Sequence, residues 1–255
     1  MRRIRPISHD ERLTVVDHLD ELRSRVIVSL LAFGVAFVLT AWQNHLVLSI
    51  VNRPLPSGVE PITFGVTEPF ITTVTNSAYA AILLSLPVIL YQLYAFVLPA
   101  FSPTERRVAL PLLLLVPVLF VAGVAFCYFV VLPPAIKFLL NFNASEFNTQ
   151  IRARDYYGFV TLTMIALGLA FQVPVAILSL VRLQITSVAA LRRNRRYAIL
   201  VIAILAALLP TIDPVTMLLE MVPLILLYEL SILLAQAFGR PSSELSESVA
   251  PAEGS

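Results

Sequence analysis

The chain has 255 residues, of which 58% are apolar and only 13% charged, with a mean hydropathy of +0.85. Soluble domains carry about 25% charged residues, so half of the charge that keeps a globule in water is missing, which excludes a soluble fold and a disordered chain. A net charge of +2, with the basic residues in short clusters between long uncharged runs, also excludes a nucleic-acid surface.

The first 25 residues hold the pair Arg2-Arg3 and five carboxylates, Asp10, Glu11, Asp17, Asp20 and Glu21. Those acids stand between the arginine pair and the first apolar run, so the segment does not read as a removable export signal. Val15, Leu19, Leu22 and Val26 recur at helical spacing. They predict an amphipathic helix lying on the membrane surface and leading into span one. Glu21 and Arg25, four apart, form an ordinary helix ion pair in the simplest reading.

Runs without Asp, Glu, Lys or Arg then cover Val26–Asn52, Pro69–Thr104, Val108–Ile136, Tyr156–Val181 and Tyr197–Ile212, and Pro214–Gly239 is apolar but for two carboxylates. Crossing a hydrocarbon core takes about 20 helical residues, and the first four runs supply them. The fifth reaches only about 24 Å. It is separated from the sixth by Pro210-Thr211-Ile212-Asp213-Pro214, where two prolines disfavour one continuous hairpin helix. The expected fold is an all-α integral membrane protein of six transmembrane helices. Pro87, Pro99, Pro111, Pro117, Pro174 and Pro223 fall in or at the ends of spans, so several helices should be kinked and the bundle concave. The division is a cytoplasmic segment at 1–25, a membrane domain at 26–239 and a disordered cytoplasmic tail at 240–255.

Fourteen of the 18 basic residues fall in the N-terminal segment, the second and fourth connections and the tail. The positive-inside rule therefore places both termini in the cytoplasm. The first outer connection, from Gln43 to about Ser77, contains four prolines and is too long for a simple turn. Cys127 is the single cysteine, so no intramolecular disulfide can form.

Catalytic constellations are missing from the sequence. His9, His18 and His45 all lie away from span centres, and there is no Walker loop, no His-Glu-x-x-His and no Gly-x-Ser-x-Gly. No enzyme, cofactor or metal is expected. What remains is polarity where polarity is costly. Asp213, Met217 and Glu220 share one face of the last helix, Glu229 lies near its cytoplasmic end, and Gln172 precedes Pro174 in span four, where it could serve the carbonyl freed by that proline. Between spans two and three, Ser102, Pro103 and Glu105 have the spacing of a capping box.

Several separated motifs together resemble one family. They are His18-Leu19-x-Glu21-Leu22-Arg23-x-Arg25; Pro87 through Tyr91-Gln92, Ala95-Phe96 and Pro99-Ala100 to Glu105-Arg106-Arg107; Ala125-Phe126-x-Tyr128-Phe129-Val130-Val131; and Phe171-x-Val173-Pro174-Val175. In order, spacing and topology they are similar to TatC, the six-helix core of the twin-arginine protein translocase, from about Val16 to about Arg240. The resemblance implies a receptor in the bacterial cytoplasmic membrane for folded precursors whose signal peptides bear paired arginines. It also implies single-span partner subunits of TatA and TatB type, assembly in several copies, and energy from the proton gradient.

The resemblance assigns Glu21 and Glu105 to the arginine pair, with Arg23 and Phe96 at the same site. Two carboxylates facing two guanidiniums allow bidentate bonds that Lys matches poorly. In span four the family's glutamate is Gln172 here, which cannot ionise. In helix six the family's glutamine is Met217, and Glu220 stands one turn deeper, positioned to take over part of the partner contact. A secondary transporter for a small solute is the alternative reading, although the two halves show neither an internal repeat nor matching broken helices.

Overall fold

A backbone in lipid has only the protein for hydrogen bonding, and the residues of this chain meet that demand with helix. The computed structural model describes residues 15–97, 103–146, 150–208 and 213–238. In chain order the helices are α1 (Val15–Trp42), α2 (Asn44–Asn52), α3 (Glu68–Val97), α4 (Pro103–Phe126), a π-helical turn (Cys127–Val131), α5 (Leu132–Asn141), α6 (Ala153–Ala170), α7 (Val173–Arg182), α8 (Val188–Arg193), α9 (Arg195–Leu208) and α10 (Pro214–Phe238). Among the described residues, five stretches are long and apolar enough to cross a bilayer: His18–Trp42, Glu68–Val97, Leu113–Asn141, Ala153–Arg182 and Pro214–Gln236. The fifth expected span is α9, whose 14 described residues reach about 21 Å. Arg2-Arg3, the Pro210–Ile212 turn and the tail from Arg240 lie outside the described residues.

The expected surface helix ahead of span one is instead the first turns of α1, which runs unbroken from Val15 to Trp42. Nothing between His18 and Val26 breaks a helix, so the segment continues the span. The first connection is shorter than expected because α3 begins at Glu68. It holds the unforeseen helix α2 and one parallel bridge, in which Ile62 donates to Ile151 O and accepts from Ala153 N, each at 2.8 Å. Beside that bridge Arg152 Nε donates to Glu68 Oε1 at 2.6 Å, and Phe64 N donates to Glu68 Oε2 at 2.9 Å. The first and third connections are thereby clamped together.

Prolines shape the middle spans. Pro133 and Pro134 have no N–H to continue the ladder, and the turn before them widens to a π-helix, with Leu132 N bonding Cys127 O. Span four breaks outright after Ala170, and α7 restarts at Val173 with Pro174 in its first turn. Pro87 and Pro223 lie inside helices that continue through them. The bends leave an open apolar recess of about 550 Å³ among α1, α2, α3, α4 and α6, lined by Leu39, Val47, Leu84, Phe120, Val124 and Met164.

Gly123 and Gly168 bring α4 and α6 together. A Cβ on Gly123 would lie 3.0 Å from Gly168 Cα and 2.8 Å from Phe171 Cγ, and one on Gly168 would lie 2.6 Å from Phe120 Cε2. The pair serves packing within the chain, a role its separation in sequence concealed. Gly168→Ala should lower stability by about 1–3 kcal/mol through overpacking. Gly34→Ala, where no atom lies within 4 Å, should leave stability unchanged or slightly raised. Denaturant unfolding of the purified variants measures both.

Candidate functional site

At the end of the bundle where α1 begins and α3 ends, five side chains meet. Arg25 donates to Glu21 Oε1 through Nε at 3.0 Å and Nη2 at 2.5 Å, and through Nη1 to Gln92 Oε1 of α3 at 3.0 Å. The other carboxylate oxygen of Glu21 faces His18 Nδ1 at 3.6 Å, beyond hydrogen-bond length. The His18 ring stacks on Phe96 with centroids 4.2 Å apart and planes 11° from parallel. Glu21 thus has one oxygen held by Arg25 and a second turned toward a histidine on an aromatic platform.

The spacing of α1 explains half of this arrangement and packing against α3 the rest. Positions 18, 21 and 25 share one helix face, and that face meets Gln92 and Phe96, themselves one turn apart on α3. The Glu21 side chain keeps 26% of its exposure and Arg25 keeps 23%, so their attraction is screened and contributes about 0.2–0.5 kcal/mol. Arg23 is exposed on the opposite side of α1. Glu105 belongs to the first turn of α4, but its side chain, like Ser102 of the expected capping box, lies outside the described residues. The sequence reading missed Gln92 and the stacking role of His18. Their only signal was that both stand inside the motifs that carried the resemblance.

A second polar group lies inside the membrane region. Asp213 Oδ1 accepts from Thr216 N at 2.7 Å, which makes Asp213 the N-cap of α10 with Pro214 in the first helical position. Asp213, Thr216 and Glu220 face the interior, and Glu220 has no exposed surface, while Met217 is half-buried beside them. Glu220 lies within electrostatic reach of Cys127 in the π turn. Gln172 is buried at the break in span four, where its Nε2 donates to Val116 O of α4 at 3.1 Å. Its partner is therefore a carbonyl on another helix rather than the Ala170 carbonyl freed by Pro174. Glu229, in the second half of α10, accepts from Arg195 Nη2 at 2.8 Å, with both side chains about half exposed.

The family profile of the Sec-independent protein translocase protein TatC matches residues 17–223. The chain belongs to the TatC family. It is 34% identical to the Sec-independent protein translocase protein TatC of Escherichia coli K12, over 91% of this chain and 92% of that protein. It is 33% identical to the TatC of Desulforapulum autotrophicum, over 94% and 91% respectively. Among solved structures it is similar to a crystal structure of the twin-arginine translocase receptor TatC in DDM, with a TM-score of 0.76 and 34% identity over 88% of this chain and all of that one.

This TatC chain is accordingly a membrane component of the Sec-independent protein translocase, concerned with protein transport. The rim cluster lies within the matched region, as do Gln172, Asp213, Met217 and Glu220. Asp213→Ala removes the cap and should cost about 1 kcal/mol, whereas Asp213→Asn keeps an acceptor and should cost far less. Thermal unfolding of the purified variants, compared with that of the parent, reads the difference.

Proposed function

We propose that this chain is the receptor subunit of the twin-arginine translocase and binds paired-arginine signal peptides of folded precursors at its cytoplasmic face through Glu21 and Glu105. The observation that carries this reading is the presentation of Glu21. Its carboxylate already accepts an arginine from its own helix on one oxygen, while the other has no hydrogen bond from the described residues. A signal-peptide guanidinium can engage the second oxygen, or displace Arg25 onto Gln92, which already holds one of its nitrogens. Phe96 and His18 offer a stacking surface to the peptide, while Arg23 stands exposed on the opposite side of α1. Glu105, at the start of α4, supplies the second carboxylate in this proposal.

The orientation proposed is the one the basic residues favour, with both termini in the cytoplasm and the chain in the bacterial cytoplasmic membrane. Single-span subunits of TatA and TatB type are the proposed partners, and the proton gradient the energy source. Because Glu220 is wholly interior, the direct partner contact on α10 falls in this proposal to the half-buried Met217, with Glu220 setting the polarity behind it. The family assignment leaves the solute-transporter alternative without support.

The test is binding of a precursor with an Arg-Arg signal, measured by photocrosslinking from positions beside Glu105 and by affinity. Glu21→Ala and Glu105→Ala should each weaken binding about tenfold, the value of one charge-assisted contact. Changing the signal to Lys-Lys should do the same, because an ammonium cannot bond bidentately. Equal crosslinking of both signals, unchanged in the two variants, would refute the assignment of these carboxylates.

A further inference from the structure

At the far end of α3 from Phe96, about 40 Å along the helix, a polar recess of about 370 Å³ opens between the starts of α3 and α6. Phe64, Thr67, Glu68, Thr72, Arg152 and Arg154 line it. Both oxygens of Glu68 are already occupied, one by Arg152 Nε and one by Phe64 N. The Glu68 carboxylate, by hydrogen bond first and by charge second, also pushes the Arg152 guanidinium up from its ordinary value. Arg154 lines the same recess and has no ion-pair or hydrogen-bond partner among the described residues. Asp155 follows it in the chain but does not line the recess. Two guanidiniums and one carboxylate line the recess, so its lining carries one net positive charge, with Asp155 acting on Arg152 from outside it.

The surroundings specify what neutralises it. Next to the charges, Val66 is fully exposed, and Phe64, Phe70 and Ile71 are more than half exposed. This apolar shelf stands where the apolar stretch of α3 begins at Glu68, and the end of a spanning helix falls near the boundary between headgroup and hydrocarbon. A dissolved anion would match the arginines and leave the shelf in water. A lipid matches both, with phosphate on the cations and acyl chains along the shelf. We infer that the recess holds the headgroup of an anionic phospholipid, its phosphodiester bound by Arg154 and the outer nitrogens of Arg152 and its tails lying over Phe64, Val66 and Phe70. Thr67 adds a hydroxyl donor at the rim. Phosphatidylglycerol suits the recess better than phosphatidylethanolamine, because the ethanolamine ammonium would bring a cation against two guanidiniums.

The experiment uses the full chain in mild detergent. Phosphatidylglycerol and phosphatidylethanolamine with identical acyl chains are supplied in equal amounts, and bound lipid is counted by native mass spectrometry. The parent protein should retain phosphatidylglycerol in preference to phosphatidylethanolamine. Arg154→Gln should lower that occupancy about fivefold, the value of one basic residue at a lipid surface. Arg154→Lys, which keeps the charge, should retain most of it. Arg154 has no hydrogen bond or ion pair to lose among the described residues, so the variants should fold, and circular dichroism verifies this. Unchanged phosphatidylglycerol occupancy in Arg154→Gln, or equal retention of the two lipids by the parent, would overturn the inference. Displacement of phosphatidylglycerol by an equal concentration of inorganic phosphate would show a site for a free anion and overturn the lipid assignment.

Discussion

A short helix ends in carbonyls that its own turns cannot pair, and three tyrosines take up such carbonyls here. Tyr128 of the π turn donates to Ile50 O at 2.7 Å, and Tyr156 of α6 donates to Val51 O at 2.8 Å, so both close the last turn of α2. Tyr228 of α10 donates to Leu191 O in the last turn of α8 at 2.9 Å. Of these bonds the one from Tyr156 to Val51 O is buried, and losing it would orphan a buried carbonyl at about 1–3 kcal/mol. The long helices are therefore fixed to the short ones by hydroxyls rather than by area alone. Thr40 extends the pattern from α1 to α3, where its hydroxyl reaches Ser77 O at 2.8 Å.

The breaks in the spans follow the same rule and give the molecule its shape. Pro133 and Pro134 force the π turn that aims Tyr128 at α2. Pro174 ends α6 early, and Gln172, at the resulting corner, ties the broken span to α4 through Val116 O. The same two elements approach closely at Gly123 and Gly168, so the corner is held from both sides. The apolar recess among α1, α2, α3, α4 and α6 is what remains once helices bent in this way have packed.

Much of the fold was legible in the sequence because hydropathy reports length directly. The runs beginning at Val26, Pro69, Val108 and Tyr156 each became a spanning stretch. Boundaries and breaks were less legible. Residues before Val26 join α1 because no breaker stops them, and α3 starts at Glu68 because that carboxylate is held by Arg152, 84 residues away in sequence. On α10, spacing grouped Asp213, Met217 and Glu220 on one face, and packing adds Thr216 to that face as a buried residue while Met217 stays half-buried beside it. At the rim, Glu21 with Arg25 was readable as an i, i+4 pair. Gln92 and Phe96 came to them through the packing of α1 on α3, which no local pattern encodes.

The two carboxylates at opposite ends of the bundle are held in contrasting ways, and the contrast bears on what each can do. Glu68 bridges distant connections through Arg152 and Phe64, so taking Arg152 away would unclamp α3 from the start of α6. Glu21 pairs with a cation on its own helix, and breaking that pair loses only a few tenths of a kcal/mol because the helix persists without it. A carboxylate that a ligand must borrow has to be of the second kind: oriented in advance, yet released at little cost to the fold. Arg25 can remain nearby on Gln92 when an incoming guanidinium takes its place. The exchange then swaps one arginine contact for another of similar strength. In the proposed binding, what the ligand gains comes from the second oxygen of Glu21, from stacking at Phe96 and from a further carboxylate, so one arginine alone should bind weakly and a pair well.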